Sequence, residues 1–228
     1  METEPIPEEI QEELKNNYQE VAQDNLIEKY SKISETYDEI MDKYLSYPDP
    51  EIVAKCLIKY EVDKDTPILD FGWGTGLSGR ALQQAGYTNV VGIDASNEML
   101  SQAKERGYKE LKEVFLCKDQ FPEEYLGKFD IAISVGVLGH GLSPDVFFEM
   151  ISCLRPKESD DDKRYIIFTA REGCMEKHKY NEKLQELEDE GTLTLPERFI
   201  FERSKNLKNQ EEMGFMKHLF ACCCVYTI

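Results

Sequence analysis

A glycine-rich segment at residues 70–79 carries the strongest chemical signal in the sequence. It reads DFGWGTGLSG, and it stands between an apolar run typical of a buried strand and a segment with helical character. Glycines at such a junction let the backbone turn tightly and approach a ligand closely. In doubly wound sheets, ligands bind at the carboxyl ends of the strands. The segment therefore predicts a small-ligand site at the start of a helix.

Two kinds of cofactor fit this segment. Residues 74–79 match the G-x-G-x-x-G pattern of dinucleotide-binding loops, and Asp94 follows Gly74 by 20 residues, where such proteins carry an acid for a ribose hydroxyl. Asp70 argues against a dinucleotide, because a carboxylate there would repel a pyrophosphate at the helix N-terminus. The same carboxylate suits a ligand with an ammonium group and no phosphate, and S-adenosylmethionine (SAM) is such a ligand.

Aspartates are predicted at the ends of three successive strands, namely Asp70, Asp94 in NVVGID and Asp119 in VFLCKD. An acid at the methionine end, one at the ribose and one at the adenine amino group would follow the outline of SAM, with Gln120 also at the adenine edge. Single aspartates at strand ends are often turn residues. Three of them together with a glycine loop favour a binding site.

Strand-like and helix-like segments alternate between residues 66 and 170. This alternation predicts βαβ units and a parallel sheet with right-handed crossovers. A helix over 174–190 and two strands over 198–203 and 214–227 are predicted to follow. The predicted strands of the alternating region are ILDFG, NVVGID, VFLCKD, FDIAISVG and YIIFTA, and its helices are 77–85, 96–106 and 145–154.

The segment 10–45 predicts a helix with a single apolar stripe. Core packing explains such a stripe, but three tyrosines on it favour the alternative that the helix covers a ligand. The residues of the stripe are spaced three or four positions apart, as one face of a helix requires; they are Leu26, Tyr30, Ile33, Tyr37, Ile40 and Tyr44.

Prolines mark the end of this helix. Pro48 disfavours helical backbone before it, and Asp49 and Pro50 predict the N-cap and first turn of a second helix that runs to about Tyr60. The chain is then predicted to consist of an acidic tail at 1–9, a helical cap at 10–60 and one core at 61–228.

Composition excludes several classes of partner. The 228 residues include 45 acids and 27 bases, and the net charge of -18 argues against nucleic acid and against an anionic membrane surface. No apolar run approaches the length of a membrane span, and the N-terminus has no signal-peptide pattern.

The seven cysteines are predicted to be free thiols of a cytoplasmic protein. Adjacent side chains at 222–224 would alternate between the faces of a strand, so no metal site is predicted there.

Residues 37–170 resemble a class I SAM-dependent methyltransferase. The motifs that carry the resemblance are DFGWGTG at 70–76, GIDAS at 92–96, LCKDQFP at 116–122 and FDIAISVGVLGH at 129–140. Within that superfamily, the chain is most similar to the methyltransferase-like proteins of the Williams–Beuren syndrome region, on the segments YD at 37–38, SVGVLGHG at 134–141, FTAREG at 168–173 and KYNEKLQELEDEG at 179–191. Trp73 departs from the family pattern, which has a small residue or cysteine there.

The resemblance implies an α/β fold with a doubly wound, Rossmann-like sheet. The sheet would have seven mostly parallel strands in the order 3-2-1-4-5-7-6, with strand 7 antiparallel and with N-terminal covering helices. It further implies SAM as cofactor and S-adenosylhomocysteine (SAH) as product. The implied cofactor-binding residues are Tyr37, Asp70, Gly72, Gly74, Gly76, Leu77, Asp94, Ala95, Met99, Asp119, Gln120, Ser134 and Val135.

The implied reaction is the in-line transfer of a methyl group to oxygen or nitrogen of an acceptor. The covering helix favours a small-molecule acceptor, and the main task of the protein is to position it. His140 follows the fourth strand and is the candidate general base, while Arg171 is a candidate for binding an acceptor carboxylate or phosphate. Two alternatives stay open: a SAM-binding sensor or scaffold without catalysis, and a nicotinamide-dependent oxidoreductase.

Overall fold

A seven-stranded sheet lies at the centre of the computed structural model, in which the strands follow the order β3-β2-β1-β4-β5-β7-β6. β7 runs antiparallel to both of its neighbours, while β1 to β5 are parallel to one another. The predicted sheet order and the antiparallel seventh strand are therefore confirmed. The structure describes residues 7, 10, 23–117, 121–139, 142–159, 162–203 and 220–228.

The elements occur in the chain as follows. The strands are β1 (Ile68–Phe71), β2 (Val90–Asp94), β3 (Glu110–Glu113), β4 (Ile131–Leu138), β5 (Tyr165–Arg171), β6 (Thr194–Glu202) and β7 (Phe220–Thr227). The helices are α1 (Gln23–Glu39), α2 (Asp49–Lys59), α3 (Leu77–Gln84), α4 (Asn97–Ala103), α5 (Val146–Cys153), α6 (Glu172–Lys177) and α7 (Tyr180–Asp189), with a π-helical turn at Ile40–Leu45 and a 3-10 turn at Glu123–Tyr125.

Apolar side chains fill the space on both sides of the sheet, because neighbouring residues of a strand point to opposite faces. One face packs against α5, α6 and α7, and the other packs against α2 and α3. The cysteine run in β7 follows this rule, since Cys222 and Cys224 belong to the first cluster and Cys223 belongs to the second. The predicted alternation of these three side chains is thus confirmed.

The prediction of the third strand was wrong. β3 is formed by Glu110–Glu113, which pairs with β2 from Val91 to Asp94. Of the predicted strand VFLCKD, residues 114–117 belong to no strand, and residues 118 and 119 lie outside the described residues. An edge strand is held by backbone pairing and can have exposed polar side chains, so its sequence lacks the apolar pattern of a buried strand. The apolar residues that follow, Val114 to Leu116, leave the sheet and line a cavity.

Two helix predictions also need correction. Asp49 is the first residue of α2 and makes no capping bond; its carboxylate instead accepts hydrogen bonds from Arg203. The helix predicted at 174–190 is divided into α6 and α7, because Lys179 adopts a left-handed backbone conformation with φ of 61°. Residues 214–219 of the last predicted strand lie outside the described residues.

Among the described helices, none combines the length and the apolar character that a membrane span requires.

Gly79 lets α3 approach the loop before β3. The Gly79 N–H donates to the hydroxyl of Tyr108 at 3.1 Å. A Cβ atom on Gly79 would overlap the Tyr108 ring and would lie 2.5 Å from the carbonyl oxygen of Arg106. A larger residue would therefore force the helix away from the sheet.

We expect Gly79→Ala to lower the free energy of unfolding by about 1–3 kcal/mol, because overpacking outweighs the helix preference of alanine, which is about 1 kcal/mol. Urea denaturation measures the difference. Gln83→Ala, at an exposed position of the same helix, is the control and should change stability by less than about 0.5 kcal/mol. A stabilised Gly79→Ala protein would contradict the packing described here.

Candidate functional site

A cavity of about 190 Å³ opens at the carboxyl ends of β1, β2 and β4, with α1 along one side. This is the sheet edge at which the sequence predicts a ligand. The lining includes many of the predicted cofactor residues, namely Tyr37, Gly72, Gly74, Leu77, Asp94, Ala95, Met99 and Val135. Asp70, Gly76 and Ser134 are not part of the lining, and Asp119, Gln120 and the predicted base His140 lie outside the described residues.

The glycine loop leaves its inner surface open to the cavity. Gly72 and Gly74 have positive φ angles of 79° and 52°. A Cβ atom on Gly72 would overlap the side chain of Val137 in β4, so only glycine allows this approach. A Cβ atom on Gly74 would meet nothing within 4 Å. The loop is therefore tight on its β4 side and has free space at Gly74.

Asp94 connects this loop to the end of β2. One carboxylate oxygen accepts the N–H of Gly74 at 2.9 Å, and the other accepts the N–H of Ser96 at 2.9 Å. Burial raises the pKa of Asp94, and the backbone N–H groups of Gly74, Ser96 and Ala95 oppose this rise. A carboxylate offers about four lone-pair positions, so Asp94 can accept further hydrogen bonds from a ligand in the cavity.

Asp70 is fully buried and is held by two hydroxyl groups. Ser78 and Tyr108 donate to the same carboxylate oxygen at 2.5 Å and 2.6 Å. The other oxygen is buried and has no hydrogen-bond partner among the described residues. Burial raises the pKa of Asp70 to about 6. The hydrogen bonds from Ser78 and Tyr108 lower this pKa, and the nearby charge of Asp94 raises it by a smaller amount. The site therefore contains a fully buried acid, Asp70, and a half-buried one, Asp94, and neither accepts a hydrogen bond from a cationic group among the described residues.

One wall of the cavity consists of apolar groups that could contact a flat ring. Met99 of α4 lies there together with Val114, Phe115 and Leu116, and the contact of Met99 with adenine stays a prediction. The last three were missed because they were assigned to a buried strand. The apolar sequence VFL is typical of a strand, so it did not indicate that these residues follow an edge strand.

The end of β4 forms the opposite wall. Val135, Gly136 and Val137 line the cavity, and the pairing of β4 with β5 shifts between Val135 and Leu138. The N–H of Gly136 donates to the Thr169 hydroxyl at 3.0 Å instead of to a ladder partner. This irregularity turns the end of the strand toward the ligand space.

The covering helix contributes two of the three tyrosines of its stripe to the cavity, while Tyr44 is buried outside the lining. Tyr30 and Tyr37 line the cavity, and their ring centroids lie 6.1 Å apart in an edge-to-face arrangement. Asp38 anchors the helix, because it accepts a 2.5 Å hydrogen bond from the Thr75 hydroxyl and forms an ion pair with Arg106. The helix is thus fixed directly to the glycine loop.

Tyr47, Asp49 and Arg203 form a cluster that sequence reasoning missed. Arg203 donates to the Tyr47 hydroxyl at 2.8 Å and to both oxygens of Asp49 at 3.2 Å and 3.1 Å. Tyr47 lines the cavity and Asp49 is fully buried. No spacing rule connects Arg203 to residues more than 150 positions earlier, so only the fold brings them together.

Arg171 is not among the described residues that line the cavity. It is buried, and it donates to the carbonyl oxygen of Gly139 at 2.8 Å. The guanidinium group thus binds a backbone carbonyl inside the protein, and this position does not support the predicted role of Arg171 at the acceptor.

Comparison with known proteins gives a family match for part of the chain. Residues 68–157, which extend from β1 through α5, match the family model described as a methyltransferase domain. The curated relative methyltransferase-like protein 27 of Homo sapiens is 31% identical over 118 residues. That match covers 50% of this chain and 47% of the relative, so the chain spans about half the length of the relative it matches.

Solved structures share the fold over a larger part of the chain. The crystal structure of the cyclase SpnF is similar with a TM-score of 0.65 and 12% identity, covering 91% of this chain and 97% of that one. The structure of magnesium protoporphyrin IX methyltransferase from Synechocystis PCC 6803, solved with bound SAH, is similar with a TM-score of 0.54 and 14% identity. This match covers 95% of the present chain and 93% of that one. The predicted fold is thereby confirmed, and the part of the chain from residue 68 to residue 157 is similar to methyltransferase domains.

The raised pKa of Asp70 makes a prediction about stability. The folded protein holds this proton more tightly than the unfolded chain, so the stability that Asp70 contributes is present below pH 3.8 and is lost as the pH rises through about 6. Asp70→Asn removes this titration. The free energy of unfolding of the wild type, relative to Asp70→Asn, should therefore fall by roughly 1–1.5 kcal/mol between pH 5 and pH 8.

Urea denaturation of both proteins across this pH range measures the difference. Asp63→Asn, at an exposed position, is the control and should show a constant difference from the wild type. A constant or rising difference for Asp70→Asn would contradict the assignment.

Proposed function

We propose that this protein is a SAM-dependent methyltransferase that transfers the methyl group of SAM to oxygen or nitrogen of a small-molecule acceptor. The observation that carries the proposal is the carboxylate of Asp94, which lies in the cavity beside the open glycine loop at the end of β2. Its remaining lone pairs fit the two hydroxyl groups of a ribose. The family match over residues 68–157 supports the same conclusion.

The donor would extend across the cavity from the glycine loop to the apolar wall. Its methionyl part would lie along Gly72 and Gly74, with the charge of Asp70 behind the loop and with Tyr37 at the carboxylate. Its adenine would lie against Met99, and the contact of Asp119 and Gln120 with the adenine edge stays a prediction. SAM supplies an activated methyl group, so the protein must chiefly hold the acceptor in line with the sulfur.

The charges of the site favour SAM over a dinucleotide. Within the described lining, Asp94 is the only charged side chain, so no lysine or arginine is present there to pair with a pyrophosphate. Asp70 and Asp94 together suit a ligand that carries ammonium and sulfonium groups. The antiparallel β7 also differs from the strand pattern of nicotinamide-binding Rossmann sheets, which supports the same choice.

A SAM-binding protein that does not transfer methyl groups is the second candidate. The fold match to SpnF, whose name is that of a cyclase, favours it, because the same architecture serves different chemistry. The proposal keeps His140 as the general base and the resemblance to the Williams–Beuren group. It also keeps a cytoplasmic location and the absence of nucleic-acid and membrane partners.

Isothermal titration with SAM and SAH tests the proposed donor site. We expect both ligands to bind, and we expect Asp94→Asn to weaken the binding of each by about 10- to 100-fold, because it replaces charge-assisted hydrogen bonds to the ribose. The amide oxygen of asparagine can still accept one backbone N–H, so the loop should remain folded.

Asp63→Asn is the matched control and should bind both ligands as the wild type does, because it removes one exposed carboxylate outside the cavity. Well-folded wild-type protein that binds neither SAM nor SAH would refute the proposed function. Binding without methyl transfer to any acceptor would favour the second candidate.

A further inference from the structure

The hydroxyl of Tyr47 lies at the wall where a methyl acceptor would enter. Tyr47 stands between the π-helical turn and α2, and its backbone N–H is bound to the carbonyl oxygen of Met41 at 3.0 Å. A Cβ atom on Gly136 would overlap the Tyr47 hydroxyl oxygen, which places this oxygen directly over the end of β4. Both residues line the cavity.

Arg203 fixes the direction in which Tyr47 can act. A guanidinium group only donates hydrogen bonds, so the Tyr47 oxygen is the acceptor in the 2.8 Å bond from Arg203. The hydroxyl proton of Tyr47 is not used in this bond and can be donated to a bound molecule. The guanidinium carbon also lies 5.0 Å from the centroid of the Tyr47 ring, which fixes the ring itself.

The cluster is neutral as a whole, and Tyr47 stays protonated. The buried carboxylate of Asp49 pairs with Arg203, so the two charges compensate each other. Burial raises the pKa of Tyr47 well above its usual value of 10, although Arg203 opposes this effect. At neutral pH the phenol is therefore a hydrogen-bond donor and not a base.

We infer that Tyr47 donates a hydrogen bond to the nucleophilic atom of the acceptor, and that this atom is the oxygen of a phenol. The inference rests on the proposed function and deepens it. A neutral amine has one lone pair, which the attack on the methyl group consumes. An oxygen has a second lone pair, so it can accept from Tyr47 and attack the methyl group at the same time.

The surroundings of Tyr47 fit the body of such an acceptor. Tyr30, Tyr37, Pro50 and Leu142 line the same cavity as Tyr47 and contribute aromatic and apolar surface to it. An ammonium group would find no unpaired carboxylate there among the described lining residues, because Asp94 lies at the end of β2. An uncharged aromatic ring is the group that these side chains contact best.

The transfer step balances without a further reactant. A lone pair of the phenol oxygen forms the new oxygen–carbon bond, while the sulfur–methyl bond of SAM breaks and its electron pair stays on sulfur to give SAH. The phenolic proton passes to solvent or to a general base, the role that is proposed for His140. Tyr47 keeps its own proton throughout and acts as a hydrogen-bond donor to the reacting oxygen.

Binding of 2-naphthol and 2-naphthylamine to the SAH-loaded protein tests this inference. The two probes have the same ring and differ in the atom that Tyr47 would contact. We expect Tyr47→Phe to weaken the binding of 2-naphthol by roughly tenfold. The same variant should leave the affinity for 2-naphthylamine within about twofold of the wild type, because the nitrogen lone pair of an aromatic amine is delocalised into the ring and accepts hydrogen bonds only weakly. Its affinity for SAH should also stay within about twofold, which shows that the variant is folded.

Tyr44→Phe is the matched control, because it removes a phenol hydroxyl from the π-helical turn just before Tyr47, at a position outside the cavity lining. It should bind both probes as the wild type does. Equal 2-naphthol affinity in Tyr47→Phe and wild type, or no binding of 2-naphthol to the SAH-loaded wild type, would overturn the inference alone. Wild-type protein that does not bind SAH would overturn the proposed function and the inference with it.

Discussion

The two hydrogen bonds that Asp94 accepts from Gly74 and Ser96 hold the site together. They connect the loop after β1 to the turn after β2, while Gly72 brings the same loop against Val137 of β4. Three strands therefore share one fixed arrangement at their carboxyl ends. A ligand that binds Asp94 is placed at once relative to the glycine loop and to the end of β4, which is the positioning that methyl transfer needs.

Three aspartates lie around this arrangement, of which Asp49 and Asp70 are fully buried and Asp94 is half-buried, and each is held in a different way. Asp70 relies on two hydroxyl groups, Asp94 on backbone N–H groups, and Asp49 on Arg203. Only Asp49 has a cation beside it among these contacts, so the first two leave negative charge around the cavity. Such charge is costly to bury without a partner. A cationic donor would supply that partner, so the electrostatics of the fold and the proposed ligand agree.

The sequence predicted those parts of the structure that depend on local pattern. The alternation of apolar runs and helices led to the parallel core, and the resemblance to a known superfamily supplied the antiparallel β7. Edge strand β3 was misplaced because its polar residues carry no burial pattern, and α6 and α7 were merged because nothing local marks Lys179 as left-handed. The contact of Tyr47 with Arg203 depends on the folded chain alone, so no local signal could have found it. Asp119, Gln120 and His140 stay predictions.

A crystal structure of the protein with bound SAH tests the central claim most directly, because it locates the donor without knowledge of the acceptor. The account predicts ribose hydroxyls on the carboxylate of Asp94, the methionyl part along Gly72 and Gly74, and the sulfur facing the end of β4 near Tyr47. SAH bound elsewhere, or bound in the cavity with its ribose away from Asp94, would contradict it.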